Sequence, residues 1–343
     1  MAANYWDSTQ RTFWSFSRER LADIRDNVEV QNAKVVEQYP YPDRRLMFIF
    51  IREKILQLAK RLSFRQQCVA TALVYIHRYL LRLPMQNVNI YLLVATAFYL
   101  ASKTEESPHH IRLVASEARQ AWPEYVPGDV TRVGEMEFCL ISEMRSQLII
   151  WHPYRTLLAM KEQDLMLTND DFTIAWSIIN DTFLTDLPLT CPPHLVAITA
   201  LFLAVIFSPS KSYSASAISG DPISGYNPPS FSSLGGRQGL ADTFNIGLNN
   251  IPLPSPGGTQ ATSKASKTED SMSVQQKTIA AAANSPKMQK MIRFLVESDI
   301  DVEEMIMATQ EIISLYELWE SQYNDKVIKE ALSKCLKSRG IDS

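Results

Sequence analysis

Tyr91-Leu92-Leu93-Val94-Ala95-Thr96-Ala97-Phe98-Tyr99-Leu100-Ala101-Ser102-Lys103-Thr104-Glu105-Glu106 opens apolar and closes charged. On a helical wheel its apolar residues go all the way round, so the stretch predicts a helix buried on every side, with small Ala95, Ala97 and Ala101 letting neighbouring helices approach closely. Lys103, in the last turn, complements the negative end of the helix dipole. Glu105 and Glu106 gain nothing from it, so the cluster reads as a rigidly held polar patch at the mouth of a buried helix, the kind of surface that binds another protein.

The flanking segments supply the helices that would bury this one. From Arg44, Phe48, Ile51, Ile55, Leu58 and Leu62 recur at steps of three and four, a one-sided apolar stripe. Ser63-Phe64-Arg65-Gln66 reads as a capping box, which predicts a helix from about Phe64 through Cys68, Ala72, Tyr75 and Tyr79 to Leu83, ended by Pro84. After the central stretch, a short helix is predicted over Ile111 to Ala121, and Asp129 caps another running to about Met144.

That last helix holds an anomaly, because Glu137 falls in the middle of the face formed by Val130, Val133, Leu140, Ile141 and Met144. An unpaired buried carboxylate costs several kcal/mol, so Glu137 must be paired, protonated or at an interface, unless the helix rolls to let it reach water. Lys103 is the obvious partner.

Ahead of these helices, Arg18 to Gln38 predicts one polar helix stopped by Tyr39-Pro40-Tyr41-Pro42. The aromatics before it, including Trp6 and Trp14, are too apolar for a solvated tail; they pack on the body or await a partner. Behind, about five more helices follow in similar order: Arg155 to Leu165, Asp171 to Asp186, Pro193 to Phe207, Pro286 to Asp299 and Val302 to Tyr323, with a tail from about Asp325. Val94 to Ala101 can be laid on Val196 to Ala204 with one extra residue, which suggests duplicated five-helix bundles. The second copy carries no Lys-Glu-Glu. Residues 208–285, with eight of the eleven glycines, read as a disordered insertion. No stretch alternates with period two, so the fold expected is all-α. It comprises an N-terminal segment over 1–42, bundles over 43–147 and 148–338, the second interrupted by 208–285, and a tail over 339–343.

The totals narrow the function. A chain of 343 residues with 34 basic and 37 acidic side chains, net −3, has no general attraction to nucleic acid or an anionic membrane. The longest apolar run, Leu195 to Phe207, is too short to span a bilayer, and the start lacks a secretory signal, so an intracellular protein is expected. Cys68, Cys139, Cys191 and Cys335 are far apart, and the first three lie in apolar segments, which suits buried free thiols. His109-His110 has no metal-ligand spacing, and no nucleophile elbow or kinase glycine loop occurs, so neither catalysis nor a cofactor is expected. Trp176 and Asn180, one turn apart with Asp181 beside them, suit either core packing or a partner groove with a Trp floor and a polar rim; Trp6 is grouped with them.

Ala101-Ser102-Lys103-Thr104-Glu105-Glu106 resembles the Ala-Ser-Lys-x-Glu-Glu signature that ends the third helix of a cyclin box. Ala3 to Ser8, Arg65 to Ala72, His152-Pro153-Tyr154-Arg155, Ala175-Trp176, Asn180-Asp181-Thr182, Asp186-Leu187 and Pro192-Pro193 extend the resemblance to the cyclin C family over nearly the whole chain outside the insertion. It implies two cyclin boxes in a nuclear regulatory subunit that activates the Mediator-associated cyclin-dependent kinase. It also implies partnership with the other subunits of Mediator's kinase module and with the RNA polymerase II holoenzyme. Lys103 and Glu137 match the family's kinase-binding lysine and glutamate, with Glu106 and Leu140 as further kinase contacts. The first box helix begins Arg44-Arg45-Leu46-Met47-Phe48-Ile49, without the Met-Arg-x-Ile-Leu docking patch of cell-cycle cyclins. The alternative is a cyclin-fold general transcription factor of the TFIIB type, which binds promoter DNA directly and needs a basic face.

Overall fold

The computed structural model describes residues 4–127, 129–207 and 286–340, and among them there is no strand. The helices are α1 (Thr9–Phe13), α2 (Arg18–Gln31), α3 (Ala33–Gln38), α4 (Arg44–Leu62), α5 (Gln66–Tyr79), α6 (Ile90–Thr104), α7 (Ile111–Ala121) and α8 (Val130–Glu143). They continue as α9 (Pro153–Ala159), α10 (Asn169–Thr182), α11 (Leu187–Thr190), α12 (Pro193–Phe207), α13 (Pro286–Glu297), α14 (Val302–Gln322) and α15 (Asp325–Arg339). The expected insertion over 208–285 lies outside the described residues. The described residues form two compact units. One holds those up to Pro153, Asn180–Val196 and those from Glu317 onward; the other holds Tyr154–Ile179 and the described residues from Ala197 to Tyr316. The units therefore do not follow a single cut at 147/148.

In the first unit α6 is the hub. Asn89 caps it, accepting from the amides of Tyr91 and Leu92 while its own amide donates to the Tyr125 carbonyl. It packs against α4, α5, α7 and α8. Leu93, Val94, Ala95, Ala97, Phe98 and Ala101 are fully buried, which is what an apolar wheel without a polar face demands. The stripe expected on α4 is buried too, from Phe48 and Ile51 to Leu62.

Four local readings differ. Ser63 does not cap α5; it ends α4 in the left-handed region at φ 54°, with the Phe64 amide bonded back to the Ala59 carbonyl, and Arg65 occupies the N-cap of α5. The signal for a helix start was consumed by the preceding helix end. Arg18 to Gln38 is broken at Asn32, whose side chain bonds the Val28 carbonyl in competition with the backbone. Cys68, Cys191 and Cys335 are buried, but Cys139 is exposed. On α8 the inward positions are Val133, Leu140 and Met144, and Cys139 lies about 100° round from Leu140.

The fourth concerns the tail. From Asp325 the chain forms α15, capped by Asn324 and closed by Gly340 at φ 61°, a conformation that glycine adopts without a Cβ clash. Ile328, Leu332, Cys335 and Leu336 are buried, and α15 packs on α4 and on the 3₁₀ turn at Met85–Asn87. Ser338 donates to the Tyr39 hydroxyl at 2.7 Å, and Arg339 donates to the Gln86 carbonyl at 2.7 Å. The N-terminal aromatics differ in burial. Trp14 is buried, donating from Nε1 to Gln147 Oε1 at 2.7 Å with Arg78 stacked 4.7 Å over its ring, whereas Trp6 is 59% exposed.

In the second unit, Thr168 and Asp171 open α10 as a reciprocal cap: the Thr168 amide donates to Asp171 Oδ2 at 2.7 Å and the Asp171 amide to Thr168 Oγ1 at 3.3 Å. Lys287 at the start of α13 reaches the same carboxylate at 2.7 Å. Along α13 and α14 the apolar stripe expected from the sequence is buried at Met288, Met291, Met305 and Ile312, joined by Ala308 and Leu315, whereas its members Ile292, Val296, Val302 and Ile306 are exposed.

Leu332→Ala is expected to cost about 2–5 kcal/mol, the range for truncating a fully buried leucine, and chemical denaturation of the full chain would measure it. A free tail would give no change.

Candidate partner-binding site

Lys103 leaves the last turn of α6 and Glu137 rises from the middle of α8; their Nζ and Oε1 atoms are 2.7 Å apart. The two side chains differ in exposure, 43% for Lys103 and 12% for Glu137. The helix has not rolled to free the carboxylate. The lysine covers it, and the hydrogen bond to Glu137 raises the Lys103 pKa above its ordinary value against a smaller opposing effect of burial. Nζ also lies 5.0 Å from the centre of the Tyr99 ring.

The chain then turns sharply. Glu106 sits at φ 51°, the Glu105 amide bonds the Ala101 carbonyl at 2.9 Å, and the Ser107 amide bonds the Ser102 carbonyl at 2.9 Å. This is a Schellman turn with glutamate where glycine is usual. An L-residue there costs roughly 1–2 kcal/mol. Glu106 is exposed at the corner.

Beneath the corner, α5 presents Gln67, Thr71 and Tyr75 at intervals of four on one face. Gln67 Nε2 donates to Glu105 Oε2 at 2.6 Å, and Thr71 Oγ1 donates to Glu105 Oε1 at 2.5 Å. His152 Nε2 lies 2.7 Å from Thr71 Oγ1 and 3.5 Å from Glu105 Oε1, which suits a proton on that nitrogen. The Tyr75 hydroxyl donates to the Leu148 carbonyl at 2.6 Å and lies 3.0 Å from Thr104 Oγ1. Arg78 completes the ladder by donating to the Gln147 carbonyl at 2.8 Å. One face of α5 thus ties the end of α6 to the segment that follows α8.

Burial pushes the Glu105 carboxyl up, but bonds from His152, Thr71 and Gln67 outweigh it and hold the group below its ordinary 4.5.

Among the expected contact residues, Leu140 is fully buried and supports α8 from within the core, so it is not a surface contact. Phe138 and Ile149, 77% and 51% exposed, went unremarked in the sequence. Phe138 follows Glu137 directly. The signal was in the period: Phe138 lies about 200° round the helix from buried Leu140, on the opposite side.

The second expected group falls across the boundary between the units, which passes through α10. Trp6, Asn180 and Asp181 belong to the first unit and Trp176 to the second. Trp6 lies 5.5 Å from the His194 ring, and Asn180 Oδ1 accepts from Gln66 at 3.1 Å. Trp176 is half-buried, stacked on Tyr154 at 4.4 Å. Asp181 is buried and paired with Arg52 at 2.5 Å, so it is a core anchor and not part of a polar rim. Among the described residues no cluster has the makings of a metal site, and no helix is long and apolar enough to cross a membrane.

Residues 24–138 match the family described as Cyclin, N-terminal domain. The chain is 44% identical over 342 residues to the RNA polymerase II holoenzyme cyclin-like subunit of Emericella nidulans, and 43% identical to that of Aspergillus oryzae. Each alignment covers 100% of both chains. A chain in the solved CAK complex of Chaetomium thermophilum bound to ATP-gamma-S is similar in fold at 16% identity, with a TM-score of 0.51, covering 96% of this chain and 88% of that one.

A carboxyl whose folded pKa is depressed contributes stability above its unfolded pKa and loses it as pH falls through the folded value. Unfolding of the chain is therefore expected to become easier as pH drops below about 4.5, and Glu105→Gln should show a shallower dependence in that window. Equal slopes for the two proteins in pH-resolved denaturation would contradict the network.

Proposed function

Because the chain belongs to the family of RNA polymerase II holoenzyme cyclin-like subunits, we propose that it is the non-catalytic, activating subunit of a cyclin-dependent kinase, and that this kinase is the one associated with Mediator. The observation that carries the reading is the Lys103–Glu137 pair, a charged contact held at the rim of an otherwise apolar bundle. A protein kinase is active only when the lysine of its β3 strand pairs with the glutamate of its C helix. A partner that presses that helix inward supplies activation without chemistry of its own.

The site suits this task. The Lys103 ammonium donates to Glu137 and lies against Tyr99, and its solvent-exposed side is free to meet acceptors on a bound helix. Glu106 and the exposed ring of Phe138 flank the pair and extend the contact. Leu140 contributes by holding α8 in place. Trp6 is the member of the second group offered to another subunit of the kinase module. The protein acts in the nucleus, where the kinase phosphorylates the polymerase carboxy-terminal domain and transcription factors, with positive or negative effect on a gene.

Lys103→Ala or Glu137→Ala is expected to weaken kinase association by roughly 2–4 kcal/mol, about 30- to 1,000-fold, with folding retained. Affinity capture from nuclear extract with mass spectrometry, alongside kinase assays with and without the chain, tests it. Recovery of a kinase with Mediator subunits, lost in both variants, is the expected result. Capture of promoter DNA and polymerase without a kinase would replace this reading with direct DNA binding.

A further inference from the structure

Glu105 stands at the negative end of the α6 dipole, where a carboxylate is unfavourable. It is nevertheless turned inward, its side chain 15% exposed, and given donors from two separate segments: Gln67 and Thr71 of α5, and His152 after α8. A residue whose task was only to stabilise the helix end would be basic. The next residue, Glu106, holds a left-handed conformation. Two backbone bonds close the turn, and the Glu105 carboxylate anchors its corner from the side-chain side, one residue beyond the Tyr75–Thr104 contact.

From this geometry we infer that Glu105 is a positioning residue: its carboxylate, clamped by Thr71, Gln67 and His152, fixes the corner at Glu106 and so holds the last turn of α6 that aims Lys103 at the partner. The inference rests on reading Lys103 as a kinase contact. The mechanism is mechanical. Both supports of the Lys103–Glu137 pair are tied to one carboxylate, since α6 carries Lys103 and the segment holding His152 follows α8, which carries Glu137. Releasing the carboxylate frees the last turn of α6 to fray while the buried remainder of the helix stays in place.

Two measurements on the full chain test it. In amide hydrogen exchange, Glu105→Ala should speed exchange at the Glu105 and Ser107 amides roughly tenfold or more, leaving Leu93 to Leu100 unchanged. Glu105→Gln, which keeps an acceptor for Thr71, should restore most of the protection. In binding to the purified cyclin-dependent kinase, Glu105→Ala should lose about tenfold, and Lys103→Ala with Glu105→Ala should bind no worse than Lys103→Ala alone, because one acts through the other.

Unchanged exchange in Glu105→Ala, or losses that multiply in the double variant, would overturn the positioning role. Normal kinase binding by Lys103→Ala, with faster exchange in Glu105→Ala, would overturn the kinase contact and leave the corner-holding role standing. If Glu105→Ala does not fold, Thr71→Val removes the hydroxyl donor at constant shape and is read in the same way.

Discussion

The burial of α6 on all but one narrow stripe, Leu92, Tyr99 and Lys103, is the constraint on which the first unit depends. A helix with no polar face stays out of water only if neighbours surround it, and α4, α5, α7 and α8 do so. The small side chains of Ala95, Ala97 and Ala101 allow that close approach, and all three are fully buried. Such a helix is most open at its C-terminus, where Lys103 is exposed. Side chains in its final turn inherit the rigidity of a packed core and still reach solvent, which is what a recognition site requires.

Charge inside this unit follows the same economy. Arg25 pairs with Asp186 through both oxygens, Arg52 with Asp181, and Lys103 with Glu137, each pair joining segments far apart in sequence. Desolvation raises the Asp186 carboxyl, but the Arg25 guanidinium outweighs it and keeps the group below its ordinary value. His77 solves burial the other way. Stacked 3.7 Å from the Phe48 ring, with Nε2 2.9 Å from the Phe183 carbonyl, it is driven by desolvation to about 3 and stays neutral. Charges that serve the fold are sunk and paired, and Lys103 alone of these three cations is more than two-fifths exposed.

The helices of the first unit were legible because their signals are periodic and local. The stripe of α4, the all-round apolarity of α6, the span Ile111–Ala121 and the Asp129 cap follow from nearest neighbours along the chain. The Lys103–Glu137 pair was legible for a different reason: a carboxylate on an apolar face needs a cation. Illegible were features that depend on which of two local options wins. Ser63 offered a cap to α5 but closes α4, and Asp325 to Arg339, apolar on one stripe only, is helical against a surface that the preceding chain does not announce.

By itself the sequence determined that this chain is helical, which helix lies at the centre and which charged turn ends it, because backbone propensity and hydrophobic period act within a few residues. Tertiary structure alone decided how deep each residue of α8 sits, leaving Val130 and Ile141 of its apolar face half-buried beside fully buried Leu140. It also drew Asp181 inward to Arg52 and gathered Thr71, Gln67 and His152 around Glu105. Those outcomes rest on contacts between residues from 34 to 129 positions apart, and no local pattern encodes the partner a polar group meets when the chain closes on itself.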